Sequence, residues 1–365
     1  MSWSTAARAA IAACALVAAG LLGSFTAAGA AAAYDPVSSG STRLVLAKPF
    51  ANLLASDRVG ILVKEGARRQ GRTIILSASG GEVDPGLAAG TVENAGALVF
   101  TKGGRQLPLR EVTFKAKRAP LYAKVGGSRL KIATAARLGD QRKGFGTAFT
   151  AGGLRMTAKF ASRLEKKLRL RGAFKPRQLI GTVESVVQPR TLHLREEGRV
   201  QLALDGAFKQ KLDNLFVSLN PIAPGEIAPG PVLSFPIGLD STLAPDASSG
   251  TIKLGGSVEL LQLGNAQVFW RELWLQPALP SLLAETDVEP APPHPGKQPQ
   301  APLLALEGAA AFVSDPAART IGVSGWRVTL TAAAAASLNE AFAGSTDQFG
   351  AGEAVGSVSF KAIAF

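Results

Sequence analysis

The sequence predicts an all-β protein with a few short helices, built as two tandem antiparallel domains of the β-sandwich or barrel type. Three observations lead there. Short apolar runs are separated by Gly-rich turns at Gly103-Gly104 and Gly126-Gly127, the pattern of antiparallel strands rather than of long helices. The order Gly90-Thr91-Val92, Ala97-Leu98-Val99-Phe100, Leu109-Arg110-Glu111-Val112-Thr113-Phe114 returns about 160 residues later as Gly250-Thr251-Ile252, Ser257-Val258-Glu259-Leu260, Trp270-Arg271-Glu272-Leu273-Trp274-Leu275, so one domain plan is written twice. Cys14 is the only cysteine. An exported chain cut after it carries no disulfide, thiolate metal site or cysteine nucleophile, so stability rests on apolar cores.

In chain order, residues 1–33 have the plan of a secretory signal. Arg8 supplies the positive region, Ala9 to Gly23 the apolar run, and Ala28-Gly29-Ala30 or Ala31-Ala32-Ala33 the small cleavage residues. That run is shorter than the about 20 residues that a membrane span needs. A polar lead is expected at 34–41. The first domain then runs over 42–195. It opens with the strand Arg43-Leu44-Val45-Leu46 and a short helix placing Phe50, Leu53 and Leu54 on one face. A strand at Thr73–Ser77 and the Gly-Thr-Val block follow, then a second helix from Phe160 to Leu168 and a closing strand at Gly181–Val187.

The second domain, 196–365, repeats this plan. Arg199-Val200-Gln201-Leu202 matches the opening strand, and Phe208 and Leu212 match Phe50 and Leu54 after a two-residue insertion. Gly325-Trp326-Arg327-Val328-Thr329 matches Gly153-Leu154-Arg155-Met156-Thr157, and the helix from Ala332 to Phe342 matches the earlier one with Leu338 at the place of Leu164. The Pro-rich segment 289–302 is expected to be an exposed loop.

The charge is divided unequally. Residues 42–195 hold 30 Lys and Arg against 9 Asp and Glu, whereas 196–365 hold 9 against 17, within a net charge of +13. Such a split means that the first domain attracts polyanions, that the two domains attract each other, or both. Lys166, Lys167, Arg169, Arg171, Lys175 and Arg177 form the densest run and are the candidate anion-binding residues. Lys115, Lys117, Arg118, Lys124, Arg129 and Lys131 dot the preceding strands. A face of this kind suits phosphate-rich wall polymer, anionic head groups or porphyrin propionates. Nucleic acid is not expected, because no aromatic residues are interleaved as stacking platforms. Two His residues, no Gly-x-Ser-x-Gly elbow and no phosphate loop around Gly144-Phe145-Gly146 argue against an enzyme.

The early strand with its Phe-bearing helix, the Gly-Thr-Val or Gly-Thr-Ile block, and the final Gly-Trp-Arg-Val-Thr-Leu-Thr with an Ala-rich helix and Gly-Ser-Val strand together resemble the haemin-transport-associated (HtaA) domain family. The resemblance covers most of residues 42–365. It implies β-rich domains secreted or held at the surface of high-GC Gram-positive bacteria, binding a cell-envelope component or haem. Haem-binding members carry a Tyr in an early helix resembling Ser-Phe-x-x-Tyr; here Leu53 and Lys211 stand at that position. The Tyr and His donors left after signal removal are Tyr34, Tyr122, His193 and His294. Tyr122 is the candidate haem contact, His193 is expected to face solvent, and His294 lies in the Pro-rich loop. Trp270 and Trp274, four apart on one strand, are expected to share a face and line a pocket.

Overall fold

The computed structural model describes residues 34–84, 89–118, 120–264, 266–289, 297–308, 310–343 and 348–365. The signal expected at 1–33 and His294 lie outside them. Tyr34 is exposed beside the first strand. No helix among the described residues is long and apolar enough to cross a membrane.

The first half is a closed eight-stranded up-and-down barrel. Its strands are β1 (Asp35–Leu46), β2 (Thr73–Asp84), β3 (Ala89–Asn94), β4 (Arg105–Lys115), β5 (Pro120–Val125), β6 (Ser128–Thr134), β7 (Gly146–Met156) and β8 (Leu179–Pro189). Each pairs antiparallel with the next. The β8–β1 pairing, with Leu46 opposite Gly181, closes the ring. Helix α1 (Lys48–Ser56) follows β1, and helix α2 (Ala158–Leu168) lies between β7 and β8. Alternation sends Ile74, Leu76, Val92, Phe114, Leu121 and Phe149 inward. The Phe114 and Phe149 rings lie 6.3 Å apart, and side chains fill the interior as expected for a barrel of this size. Phe50 and Leu54 of α1 and Phe160, Leu164 and Leu168 of α2 join the same core.

The second half contains β9 (Leu192–His193), β10 (Arg199–Leu204), β11 (Val232–Pro236), β12 (Thr242–Leu243), β13 (Gly250–Lys253), β14 (Ala266–Gln276), β15 (Ser281–Glu289), β16 (Lys297–Glu307), β17 (Thr320–Leu330) and β18 (Ala354–Ile363). Helices α3 (Gly206–Asn214) and α4 (Ala332–Leu338) correspond to α1 and α2. This sheet curls, and where the first barrel has continuous ladders it has single bridges, Leu194 with Ala364 and Ile237 with Leu254. The counterparts of β1 and β2 are each broken in two, so β10 pairs with β11 while β9 pairs separately with β12.

The repeat extends to the backbone. Gly90 (φ 131°) and Gly250 (φ 124°) hold the same conformation. A Cβ on either would lie 2.2 or 2.3 Å from the carbonyl oxygen of Glu82 or Thr242, so only glycine lets the paired strands approach. The ladders slip between Arg110 and Thr113 and again between Arg271 and Trp274, with Glu111 at φ 48° and Glu272 at φ 49°. Bulges at Gly153 (φ 63°) and Gly325 (φ 65°) also correspond.

Several expectations need correction. The supposed polar lead at 35–41 is barrel strand: Asp35 pairs with Val83 and Ser41 with Ser77. Its polarity misled because Asp35 is buried through bonds to His193 rather than by being apolar. Leu46 faces Gly181 as Leu204 faces Gly356, so the opening strands align without a two-residue insertion. The cap of α4 is Thr331, two residues beyond Thr329, because β17 carries its bulge two residues earlier relative to the helix. Within the Pro-rich segment, residues 297–302 are strand. That part of β16 pairs with β15 but not with β17, whose pairing begins at Leu304, so it is an edge where proline is tolerated; residues 290–296 lie outside the described ones.

The two sheets meet at an apolar and hydrogen-bonded junction. Phe145, in the turn before β7, is 7 % exposed and packs in the core of the second half. Arg319, in the turn before β17, reaches back. Its Nη1 donates to the carbonyls of Gly144 (3.1 Å) and Phe145 (3.3 Å), and its Nη2 to that of Phe365. Burial, and then Arg142, pushes the Arg319 guanidinium down to about 10, while Asp35 opposes them. Asp35 Oδ1 accepts from the His193 backbone N–H (3.1 Å) and contacts its Nδ1 (3.0 Å). Burial raises the Asp35 carboxyl above its ordinary 3.8, against the lowering effect of His193.

Two predictions follow from the junction. Phe145→Ala removes a core ring contributed from the other half and costs about 3 kcal/mol. The described tryptophans, Trp270, Trp274 and Trp326, all belong to the second half. In a urea titration the loss must therefore show as an earlier fluorescence transition, and an unchanged midpoint contradicts the plug. The folded chain also holds the Asp35 proton more tightly than the unfolded chain, so its contribution to stability falls as pH rises from 3.8 through the raised value. Asp35→Asn keeps an acceptor and cannot ionise. The variant must gain on the wild type across that window in paired melts, and a constant difference contradicts the burial of Asp35.

Candidate anion-binding surface

The closed apolar barrel turns its charged side chains outward, and α2 concentrates them. Thr157 caps α2, its Oγ1 accepting from the Phe160 N–H at 3.2 Å. Phe160, Ala161, Leu164 and Leu168 face the core. Helical spacing then leaves Lys159, Ser162, Arg163, Lys166 and Lys167 exposed. Arg169 caps the helix in the left-handed conformation (φ 52°) and is also exposed.

Opposite this face stands the Gly103-Gly104 turn leading into β4. Together they frame an open concavity of about 770 Å³ lined by Gly104, Arg105, Gln106, Arg163, Lys166, Lys167 and Arg169. Glu165, the acid within α2, is directed elsewhere: its Oε1 accepts from the Phe174 N–H at 3.0 Å. None of the five cations has an ion-pair partner among the described residues. The sequence run is thereby divided. Lys166, Lys167 and Arg169 converge on the concavity, whereas Arg171, Lys175 and Arg177 are exposed beyond it and do not line it. Arg105 and Arg163 complete it. Arg163 was legible three residues before Lys166 on the polar helix face; Arg105 comes from a distant hairpin and had no local signal.

The same capped helix start without the charge occurs in the second half, where α4 ends at Leu338 and a π-helical turn, Asn339–Ala343, follows. Thr331 caps α4 through the Ala334 N–H as Thr157 caps α2, and Leu338 is buried like Leu164. Counting from the caps, Lys159, Arg163 and Lys166 correspond to Ala333, Ser337 and Glu340. The helix folds without these cations, so their presence on α2 is not a demand of the fold. Nor does the acidic half neutralise them. The ion pairs of its acids among the described residues are internal: Arg199–Glu226 (2.7 Å), Lys209–Asp213, Lys211–Glu353, Lys253–Asp240 (3.8 Å), Arg271–Asp287 (3.8 Å) and Arg327–Glu307 (3.4 Å).

The other candidates are scattered. Tyr122 is half-buried on the outer face of β5, opposite Thr113 and Lys131. Its ring is flanked by Arg129 at 4.9 Å, Lys115 at 5.7 Å and Lys131 at 5.9 Å. Trp270 is buried in the second core, but Trp274 does not share its face. The bulge at Glu272 adds a residue, so Leu273 points inward and Trp274 outward, 5.9 Å from Lys253 Nζ. His193 is only partly exposed, held by Asp35 rather than facing solvent. At the positions of the resemblance's Tyr, Leu53 packs half-buried against the first core and Lys211 pairs with Glu353. Among the described residues no three His, Cys, Asp or Glu side chains are grouped to hold a metal.

The fold and this surface define a tandem β-barrel protein with a cationic outer face on its first half. No family model and no curated protein matches the chain. Solved structures similar to it include the C-terminal domain of HtaA from Corynebacterium glutamicum, at 14% identity and a TM-score of 0.35, covering 42% of this chain and 98% of that one. The N-terminal domain of the same protein is similar at 14% identity and a TM-score of 0.29, again over 42% and 98%. A domain-swapped dimer of a variant C-terminal domain gives 14% and 0.30, over 38% and 90%.

Proposed function

We propose that this chain is an exported, non-catalytic binding protein of the cell envelope whose first barrel holds an anionic polymer. The carrying observation is the set of five cations, Arg105, Arg163, Lys166, Lys167 and Arg169, around one open concavity with no acidic partner among the described residues. Like charges held together without neutralisation raise the local potential and draw a polyanion. Replacement of the α2 cations by Ala333, Ser337 and Glu340 in the second half supports a division of labour, with the first half as the anion-binding one. The secretory plan of residues 1–33 supports the envelope as the place of action.

Haem, the ligand class implied by the resemblance, is less well supported. Leu53 offers no donor to iron, Lys211 is tied to Glu353, and Tyr122 is crowded by three cations on an outer wall.

Retention on anionic wall material should fall steeply as salt rises, with the steepness reporting how many cations are engaged. Arg163→Ala, Lys166→Ala and Arg169→Ala combined remove about 1 kcal/mol each, or about 100-fold in affinity, while leaving stability nearly unchanged because all three are exposed. Retention unaffected by salt or by the triple variant contradicts the reading. A saturable Soret shift with haemin that vanishes in Tyr122→Ala favours haem instead.

A further inference from the structure

Resting on that reading, we propose that the ligand is an acidic polysaccharide, bound along a continuous track that runs from α2 past Arg129 onto the outer barrel wall. The concavity beside α2 shares Arg163 and Lys166 with a second one, about 620 Å³, reaching Ser128 and Arg129 at the start of β6. The Gly126-Gly127 turn joins the two regions: a Cβ on Gly126 would lie 3.4 Å from Arg163 Nη2. Arg129 in turn lines two further hollows of about 350 and 670 Å³ on the wall formed by β2, β3, β4 and β5. It is therefore the link common to three of the four. Tyr122 lies beneath its guanidinium at 4.9 Å, so the ring acts as a platform holding Arg129 where the track narrows.

The two ends of the track differ in chemistry. The α2 end is cationic. The wall end mixes Lys115, Lys117 and Lys124 with acceptors: the Glu82, Glu93 and Glu111 carboxylates and the Asn94 side chain. Asn94 is 3 % exposed. Its Nδ2 donates to the Val112 carbonyl at 3.0 Å, while its Oδ1 has no partner among the described residues. Glu111 holds Lys124 at 3.0 Å, and Glu93 has no cation partner among the described residues.

A polyphosphate offers no donors to these acceptors, and its dense charge is repelled by all three carboxylates. A sugar chain carrying carboxylate or sulfate groups offers hydroxyl donors to Glu93 and acceptors to the cations at once. A chain of linked residues also fits an elongated track better than a compact anion does. The wall is polar and shallow, and bridging water lets such a surface bind a glycan without being weak.

The test is calorimetric titration of the full chain with oligogalacturonides of increasing length, with inorganic polyphosphate of matched charge and with neutral dextran. Affinity for the galacturonides must rise with length and then level off, and must exceed that for polyphosphate. Arg129→Ala must abolish the gain from length while changing the affinity of the shortest oligomer by no more than about twofold. Tyr122→Ala must act in the same direction through the loosened guanidinium. Glu93→Gln must narrow the preference for glycan over polyphosphate. Polyphosphate binding as tightly as the glycan, or dextran binding equally well, overturns the polysaccharide assignment; the first of these leaves the anionic-polymer reading standing. Affinity independent of length, or unaltered by Arg129→Ala, overturns the track. Failure of every anionic probe to bind overturns both proposals.

Discussion

Closure of the first barrel is the constraint from which the rest follows. Pairing β8 with β1 removes both sheet edges, and the ring is small enough that Phe114 and Phe149 meet inside it. A full interior leaves no room for a ligand there, and it sends the charges of a strongly basic half to the outer wall. Those cations repel one another. The apolar cores and the Phe145 plug offset that repulsion, since no ion pair among the described residues joins an acid of the second half to a cation of the first.

The second half shows which features the architecture requires and which it does not. It keeps the close-approach glycine at Gly250, the left-handed bulge residue at Glu272, the helix cap at Thr331 and the buried pair Phe208 and Leu212. It lacks the cations of α2 and breaks the counterparts of β1 and β2, so single bridges replace part of the ladder. Backbone geometry was retained while the surface changed, the pattern expected when a fold is a scaffold and its function lies in what is grafted on it. The pairing of β9 with β12 repeats that of Asp35 with Val83 in the first barrel, and it places His193 against Asp35.

The class of fold and the order of its elements were legible in the sequence because apolar alternation and turn glycines are local signals. Glu111 and Glu272 repeat in sequence and in φ, which is why the strand block was so readable. What escaped was set by tertiary geometry. A single bulge inverted Trp274 relative to Trp270, a change that period-two counting cannot register. Asp35 looked like solvent-exposed lead because the partners that satisfy it lie more than 150 residues away. The prolines of β16 sit at an edge that only the pairing reveals. For the surface, Lys166, Lys167 and Arg169 stood out as a run, but the run was the wrong unit. Helix phase separates them from Arg171, and folding brings in Arg105 from a hairpin some 60 residues earlier.

The central claim is that an anionic polymer lies on the outside of the first barrel, along α2 and the β5–β6 turn. Hydrogen-exchange mass spectrometry of the full chain, with and without an acidic polysaccharide, tests it most directly. The account predicts added protection in peptides spanning 102–106, 124–131 and 158–169, with the second half unchanged. Protection centred on the second half, or inside the barrel at Phe114 and Phe149, would contradict it.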